Sequence, residues 1–193
     1  MRPDDTILIS GSTRTLARVL AGVAVFGLVA CVVQATVGLG SAAAEAWFTS
    51  YVSPLVYLPI AALFVLRACK LTGARMPWML IGLAYMSWAA ASLGYNVSLG
   101  TGHRPAIPSF ADAGWLVFYP VMFFAFVAMI RARHVRLSGR AWLDGLIGAL
   151  ALAALISTFL VEPLEAAGAG DPRVVATLLA YPLADVALMW LVL

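Results

Sequence analysis

The sequence predicts an all-α fold, a polytopic membrane helix bundle of six transmembrane helices. Three observations carry that prediction. Of 193 residues, 63% are hydrophobic and only 11% charged, whereas soluble domains carry about 25% charged residues, so a water-exposed globule would lack polar surface to cover itself. The apolar residues fall into six runs, each about long enough to cross a hydrocarbon layer. Basic residues collect between alternate runs, which is a membrane-orientation signal. It is not a nucleic-acid footprint, because no basic stripe is interleaved with a recognition helix or aromatic platform. Membrane lipids are therefore the expected surroundings, and no nucleic-acid partner is expected.

Residues 1–18 are polar and basic overall, a cytoplasmic N-terminal segment ahead of a membrane domain over 19–193. Arg14 and Arg18 immediately precede the first helix, predicted over 19–39. A cleaved signal peptide, with a small-residue site after Ala44 in SAAAEA, is the weaker reading. Its apolar core would be only about 7–15 residues long, and further spans follow here. Gly38-Leu39-Gly40 ends the helix, and Glu45 with Trp47 marks the next interface. The second helix, 48–66, contains Pro54 and Pro59. Each proline removes a backbone donor, tolerated in a membrane only where a neighbour satisfies the freed carbonyl. Arg67, Lys70 and Arg75 form a basic turn around Gly73. Pro77-Trp78 opens the third helix, 77–97, on which Gly82, Tyr85, Ala89 and Ser92 recur at spacings of three and four. That face suits close helix approach, with simple packing the leading explanation.

Residues 98–109 are polar and turn-rich, and Asn96-Val97-Ser98 matches a glycosylation sequon at a helix end. The fourth helix is predicted over 110–130, kinked or locally unwound near Pro120. The most basic turn follows, with Arg131, Arg133, His134, Arg136 and Arg140. The fifth helix, 142–161, carries a small-residue seam of Gly145, Gly148 and Ala149. An acidic, glycine-containing connection leads to the sixth, 174–193, where the chain is still apolar at Leu193. With the N-terminus inside, ten of the twelve basic residues lie on the inner side and only Arg104 and Arg173 outside, which predicts cytoplasmic termini.

An internal repeat is also expected. Tyr57-Leu58-Pro59, Tyr119-Pro120 and Tyr181-Pro182 place prolines 61 and 62 residues apart, and the first two are each followed by a basic turn and then Trp78 or Trp142. Parallel two-helix hairpins of helices 2–3 and 4–5 would account for this, with helix 6 opening a third copy that is cut in half.

Asp185 is the most conspicuous polar residue. It lies twelve residues beyond Arg173, and at about 1.5 Å per residue it is well inside the layer. A carboxylate there must be protonated, paired or turned to a polar cavity, which makes it a candidate signal residue beside its structural reading. Tyr181, one turn earlier, could share its hydrogen-bonded cluster. Asp112 opens the fourth helix, where capping and the helix dipole explain it, and an outward polar pocket with His103, Arg104, Tyr95 or Asn96 is the functional alternative. Tyr119 belongs to the same aromatic-proline step as Pro120. Asp144 reads as a dipole partner and ion pair of Arg140. Pro59, Pro120 and Pro182 are candidate hinges. Cys31 and Cys69 lie at different depths without metal-ligand spacing, no histidine lies within a span to hold haem, and no phosphate loop or nucleophile–base set is present. No catalytic residue, metal or cofactor is expected in this chain.

The segments SFADAGWLVFYPVMFF, LSGRAWLDGLIGAL, FLVEP and LLAYPLADVALMWLV resemble the N-terminal multi-helix membrane region of bacterial GGDEF and GGDEF-EAL signalling proteins, over residues 77–193. Similar regions precede sensor histidine kinases. The resemblance implies a sensory or regulatory module in the bacterial cytoplasmic membrane, joined to a cytoplasmic output domain that makes or degrades cyclic di-GMP, and working as a homodimer. It marks Asp112, Pro120, Asp144, Glu162-Pro163, Tyr181-Pro182 and Asp185 as family-like positions. The 193 residues contain no GGDEF, EAL or kinase histidine signature, so any catalysis would belong to a following domain. A small-solute transporter or channel, and a structural membrane interaction module, are the alternatives.

Overall fold

The computed structural model describes residues 11–38, 40–71, 75–100, 106–132, 143–154 and 171–192, and every regular element within them is helical. Six helices result. α1 is Gly11–Val37, α2 is Ala42–Lys70, α3 is Arg75–Gly100 and α4 is Phe110–Ala132. α5 is described as Leu143–Ala154 and α6 is Pro172–Val192. Five of them, all but α5, are long and apolar enough to cross a membrane. The rest of the predicted fifth span, 142 and 155–161, lies outside the described residues.

Helix ends depart from the hydropathy pattern where polar sequence remains helix-compatible. α1 starts at Gly11 rather than at 19, with the Thr15 hydroxyl donating to the Gly11 carbonyl at 3.1 Å. Hydropathy marks where lipid begins, while backbone hydrogen bonding carries the helix past that boundary, so Arg14 and Arg18 are themselves helical. Gly38 and Gly40 have φ of 66° and 98°, a left-handed backbone that glycine adopts without steric cost and that stops α1. α2 begins at Ala42 instead of 48 because Ser41 caps it, its Oγ accepting from the Ala44 N–H at 3.3 Å.

α2 is irregular in its first half. Phe48–Val52 is π-helical, a short Ser53–Leu55 turn follows, and regular helix runs from Tyr57 to Lys70. Pro59 falls in the first turn of that last stretch, where a missing donor is easily accommodated. Pro54 has no N–H to offer the Ser50 carbonyl four residues earlier. The Asn96 side chain on α3 supplies the donor, Nδ2 to the Ser50 oxygen at 2.6 Å. Asn96 therefore leaves the predicted pocket, and its amide is committed to α2 rather than free as a glycosylation acceptor. Asn96→Leu should cost about 1–3 kcal/mol by orphaning that carbonyl. The loss should shrink in a Pro54→Ala background, where residue 54 regains its N–H, as read by unfolding of the detergent-solubilised chain.

The helices pack in sequence, α1 on α2, α2 on α3 and α3 on α4, with α6 on α4. Small residues let them approach. A Cβ on Gly82 would lie 2.8 Å from Val65 Cγ2 and 3.2 Å from the Ala61 carbonyl, and one on Gly114 would lie 2.7 Å from Ala91 Cβ. Gly82 thus faces α2, while Ala91 and Ser92 on the same helix meet α4, so the small-residue pattern of α3 serves two neighbours. A buried cluster joins Ile81 and Ala84 of α3 to Met122 and Ala125 of α4. Phe64, Tyr85 and Phe118 extend it as a ring ladder, with Phe64 stacked on Tyr85 at 5.7 Å and Tyr85 edge-on to Phe118 at 5.8 Å. Outside this core, apolar side chains face outward, as with Phe26 at 76% exposure on α1. Hydrocarbon rather than protein is the natural cover for such a surface.

On α5, Gly145 and Ala149 are buried and Gly148 is half-buried, so the predicted seam is its covered face. Cys31 and Cys69 are both free.

Candidate functional site

The polar residues converge where α4 begins and α6 runs alongside it. Ser109 precedes α4 and Asp112 is three residues on, the spacing of a reciprocal cap. The Asp112 N–H donates to Ser109 Oγ at 3.3 Å. In return the Ser109 N–H and hydroxyl both donate to Asp112 Oδ2, each at 2.7 Å. The other carboxylate oxygen, Oδ1, accepts the Tyr181 phenol of α6 at 2.8 Å. Asp112 is only 7% exposed. Three donors and the positive end of α4 are what allow an acid to be buried there.

One level deeper, the roles of the two helices are exchanged. Tyr119 of α4, 9% exposed, lies near enough to Asp185 of α6 for the two to interact electrostatically. The two tyrosine rings sit edge to face between these contacts, 6.3 Å apart at 70°. Each helix thus contributes one acid and one phenol. Pairing 112 with 181 and 119 with 185 requires α4 and α6 to run in the same direction. Tyr181 and Asp185 share one cluster, as their spacing suggests, but they do so through partners on α4 rather than through each other. Asp185 is itself exposed at the flank of the contact.

α3 completes the arrangement. Trp115 Nε1 donates to Ser92 Oγ at 2.9 Å, and the Ser87 hydroxyl donates to the Gly114 carbonyl at 2.7 Å. These bonds fix the rotation of α4 and so the direction in which Asp112 and Tyr119 point. Beside them lies a cleft of about 410 Å³ walled by Trp88, Tyr95 and Trp115, with Ile107, Leu178, Asp112 and Tyr181. Tyr95 packs on Trp115 at 5.4 Å and Trp88 on Phe118 at 5.3 Å. Of the residues expected in an outward pocket, Tyr95 joins Asp112, Asn96 does not, and His103 and Arg104 lie outside the described residues.

Asp144 stands apart, exposed at the start of α5, and its expected partner Arg140 lies outside the described residues. Pro120 and Pro182 directly follow the two phenols, yet α4 and α6 continue through both without interruption. Local unwinding at Pro120 is therefore not found, because a single missing i→i−4 bond leaves the flanking turns intact. Among the described residues no cluster of three or more potential metal ligands occurs. Sequence reasoning passed over Ser109, Ser87 and Trp88, and read Ser92 only as part of a close-packing face. The Ser109-x-x-Asp112 spacing is a legible capping signature, whereas the α3 residues carry no signal until the helices are docked. The chain matches no protein-family model, no curated protein and no solved structure.

Proposed function

We propose that this chain is the membrane sensory or regulatory module of a bacterial signalling protein, seated in the cytoplasmic membrane with its N-terminus inside. It would control a cytoplasmic output domain of the cyclic-di-GMP-synthesising or -degrading type, and work as a homodimer. One observation carries the reading: Asp112 and Tyr181 both wall the aromatic cleft and fasten α4 to α6. A small molecule entering the cleft competes for the bond that holds α6 in place. Occupancy then favours one α4–α6 packing over another by the difference in its affinity for the two. The resemblance of residues 77–193 to membrane regions ahead of GGDEF and EAL domains supplies the output class. Side-by-side, same-direction α4 and α6, each with a Tyr-Pro step, also suit the proposed hairpin repeat.

A transporter reading receives less support, since the cleft lining includes Asp112 and Tyr181 but not Asp185.

The test has two parts. The reading frame beyond Leu193 should encode a GGDEF, EAL or histidine kinase domain, and an immediate stop codon would sink the proposal. In the full-length protein, Tyr181→Phe and Asp185→Asn should each shift cellular cyclic di-GMP at least about twofold at equal membrane abundance, the size of a sub-kcal/mol change in a two-state equilibrium. Unchanged output in both variants would reject a signalling role for the α4–α6 contact.

A further inference from the structure

At the opposite end of the bundle, α1 and α2 enclose a second cavity, of about 520 Å³. Four basic residues border it, Arg14 and Arg18 from α1 with Arg67 and Lys70 from the end of α2, and among the described residues no acid lines it. The antiparallel packing of the two helices brings these charges together, although they are some fifty residues apart in sequence. The remaining walls are largely apolar and include Leu63 and Phe64. Arg67 is held in place, its guanidinium 4.3 Å from the centre of the Trp78 ring on α3, which pre-orients its donors.

We infer that this cavity binds an anionic phospholipid of the inner leaflet, with the phosphate among Arg14, Arg18, Arg67 and Lys70 and an acyl chain along Leu63 and Phe64. Two physical points favour that occupant. Four like charges around one cavity at a membrane boundary repel each other unless an anion neutralises them. An apolar wall continuing from a basic rim matches an amphiphile, whereas a free phosphate would use only the rim. Arg67 and Lys70 also offset the negative end of α2, but that role alone does not explain Arg14 and Arg18 facing the same space. The site is independent of the signalling reading and rests on the proposed orientation with the N-terminus inside.

Native mass spectrometry of the detergent-purified chain, titrated with phosphatidylglycerol or phosphatidylcholine, tests the site. Phosphatidylglycerol should be retained in preference, and Arg14→Gln/Arg18→Gln should weaken its binding by about thirtyfold, roughly fivefold per basic residue. Arg131→Gln, a basic residue at the end of α4 outside the cavity, should leave binding unchanged. Ala17→Phe keeps every charge but pushes a ring into the cavity, and should also weaken retention, so the inference stays testable if the double variant does not fold. Equal retention of the two lipids, or equal loss in Arg131→Gln, would overturn it. Thermal protection by inorganic phosphate alone, equal to that by phosphatidylglycerol, would reassign the site to a soluble anion.

Discussion

Placing alanine at Gly114 should destabilise the bundle by about 1–3 kcal/mol, the usual range for one methyl group forced into a close contact. The added Cβ would lie 2.7 Å from Ala91 Cβ and 3.5 Å from Ala91 Cα. Neither is the far end of a flexible chain, so the relief must come from α3 and α4 moving apart. That movement also stretches the Ser87 hydroxyl bond to the Gly114 carbonyl and the Trp115 bond to Ser92, which is why the upper half of the range is expected. Ala91→Gly alone should cost about 1 kcal/mol through lower helix propensity. In the Gly114→Ala background it should instead restore most of the lost stability, because it removes the atom that is struck. The measurement is a double-mutant cycle on thermal unfolding in detergent. Simple additivity would show that this contact does not set the α3–α4 distance.

The second large effect is expected at Asp112. Asp112→Ala deletes the acceptor of the Ser109 N–H, the Ser109 hydroxyl and the Tyr181 phenol together. Bonds to a charged acceptor are worth about 1.5–3 kcal/mol each, but fraying at the start of α4 lets water satisfy the Ser109 groups, so a net loss of roughly 2–4 kcal/mol is expected. Tyr181→Phe should be much milder, about 0.6 kcal/mol and at most about 1.7, as for other hydrogen bonds between membrane helices. The difference separates the two duties of the carboxylate. Most of its worth lies in the local cap, and the smaller share lies in the bond to α6. A contact of that small size is suited to being made and broken by a ligand. If Tyr181→Phe proved as damaging as Asp112→Ala, the α6 bond would be structural and the proposed switching role would fall. Urea or dodecyl sulfate titration of both variants in the same detergent decides between them.

The membrane character of the chain, the existence of its helices and the clustering of its basic ends follow from composition and spacing. Hydropathy depends on residue identity alone, so it needs no docking. The same holds for Ser109 and Asp112, whose relation is local to one turn. Helix ends were less legible, as α1 and α2 show, because a helix continues past the apolar run wherever a cap or a compatible polar stretch allows it.

Partnerships between helices are a different matter. Nothing in the spacing of Asn96 points to Ser50, and nothing near Asp185 points to Tyr119. Each pairing depends on how far a helix is rotated and slid against its neighbour. Those two coordinates are decided by close contacts such as Gly114 on Ala91 and Gly82 on Val65. Sequence by itself determined that this is a multi-pass helical membrane protein. Only the tertiary structure decided that Asp112 is matched to Tyr181 of α6, because a buried carboxylate constrains that some donor must meet it and leaves packing to choose which.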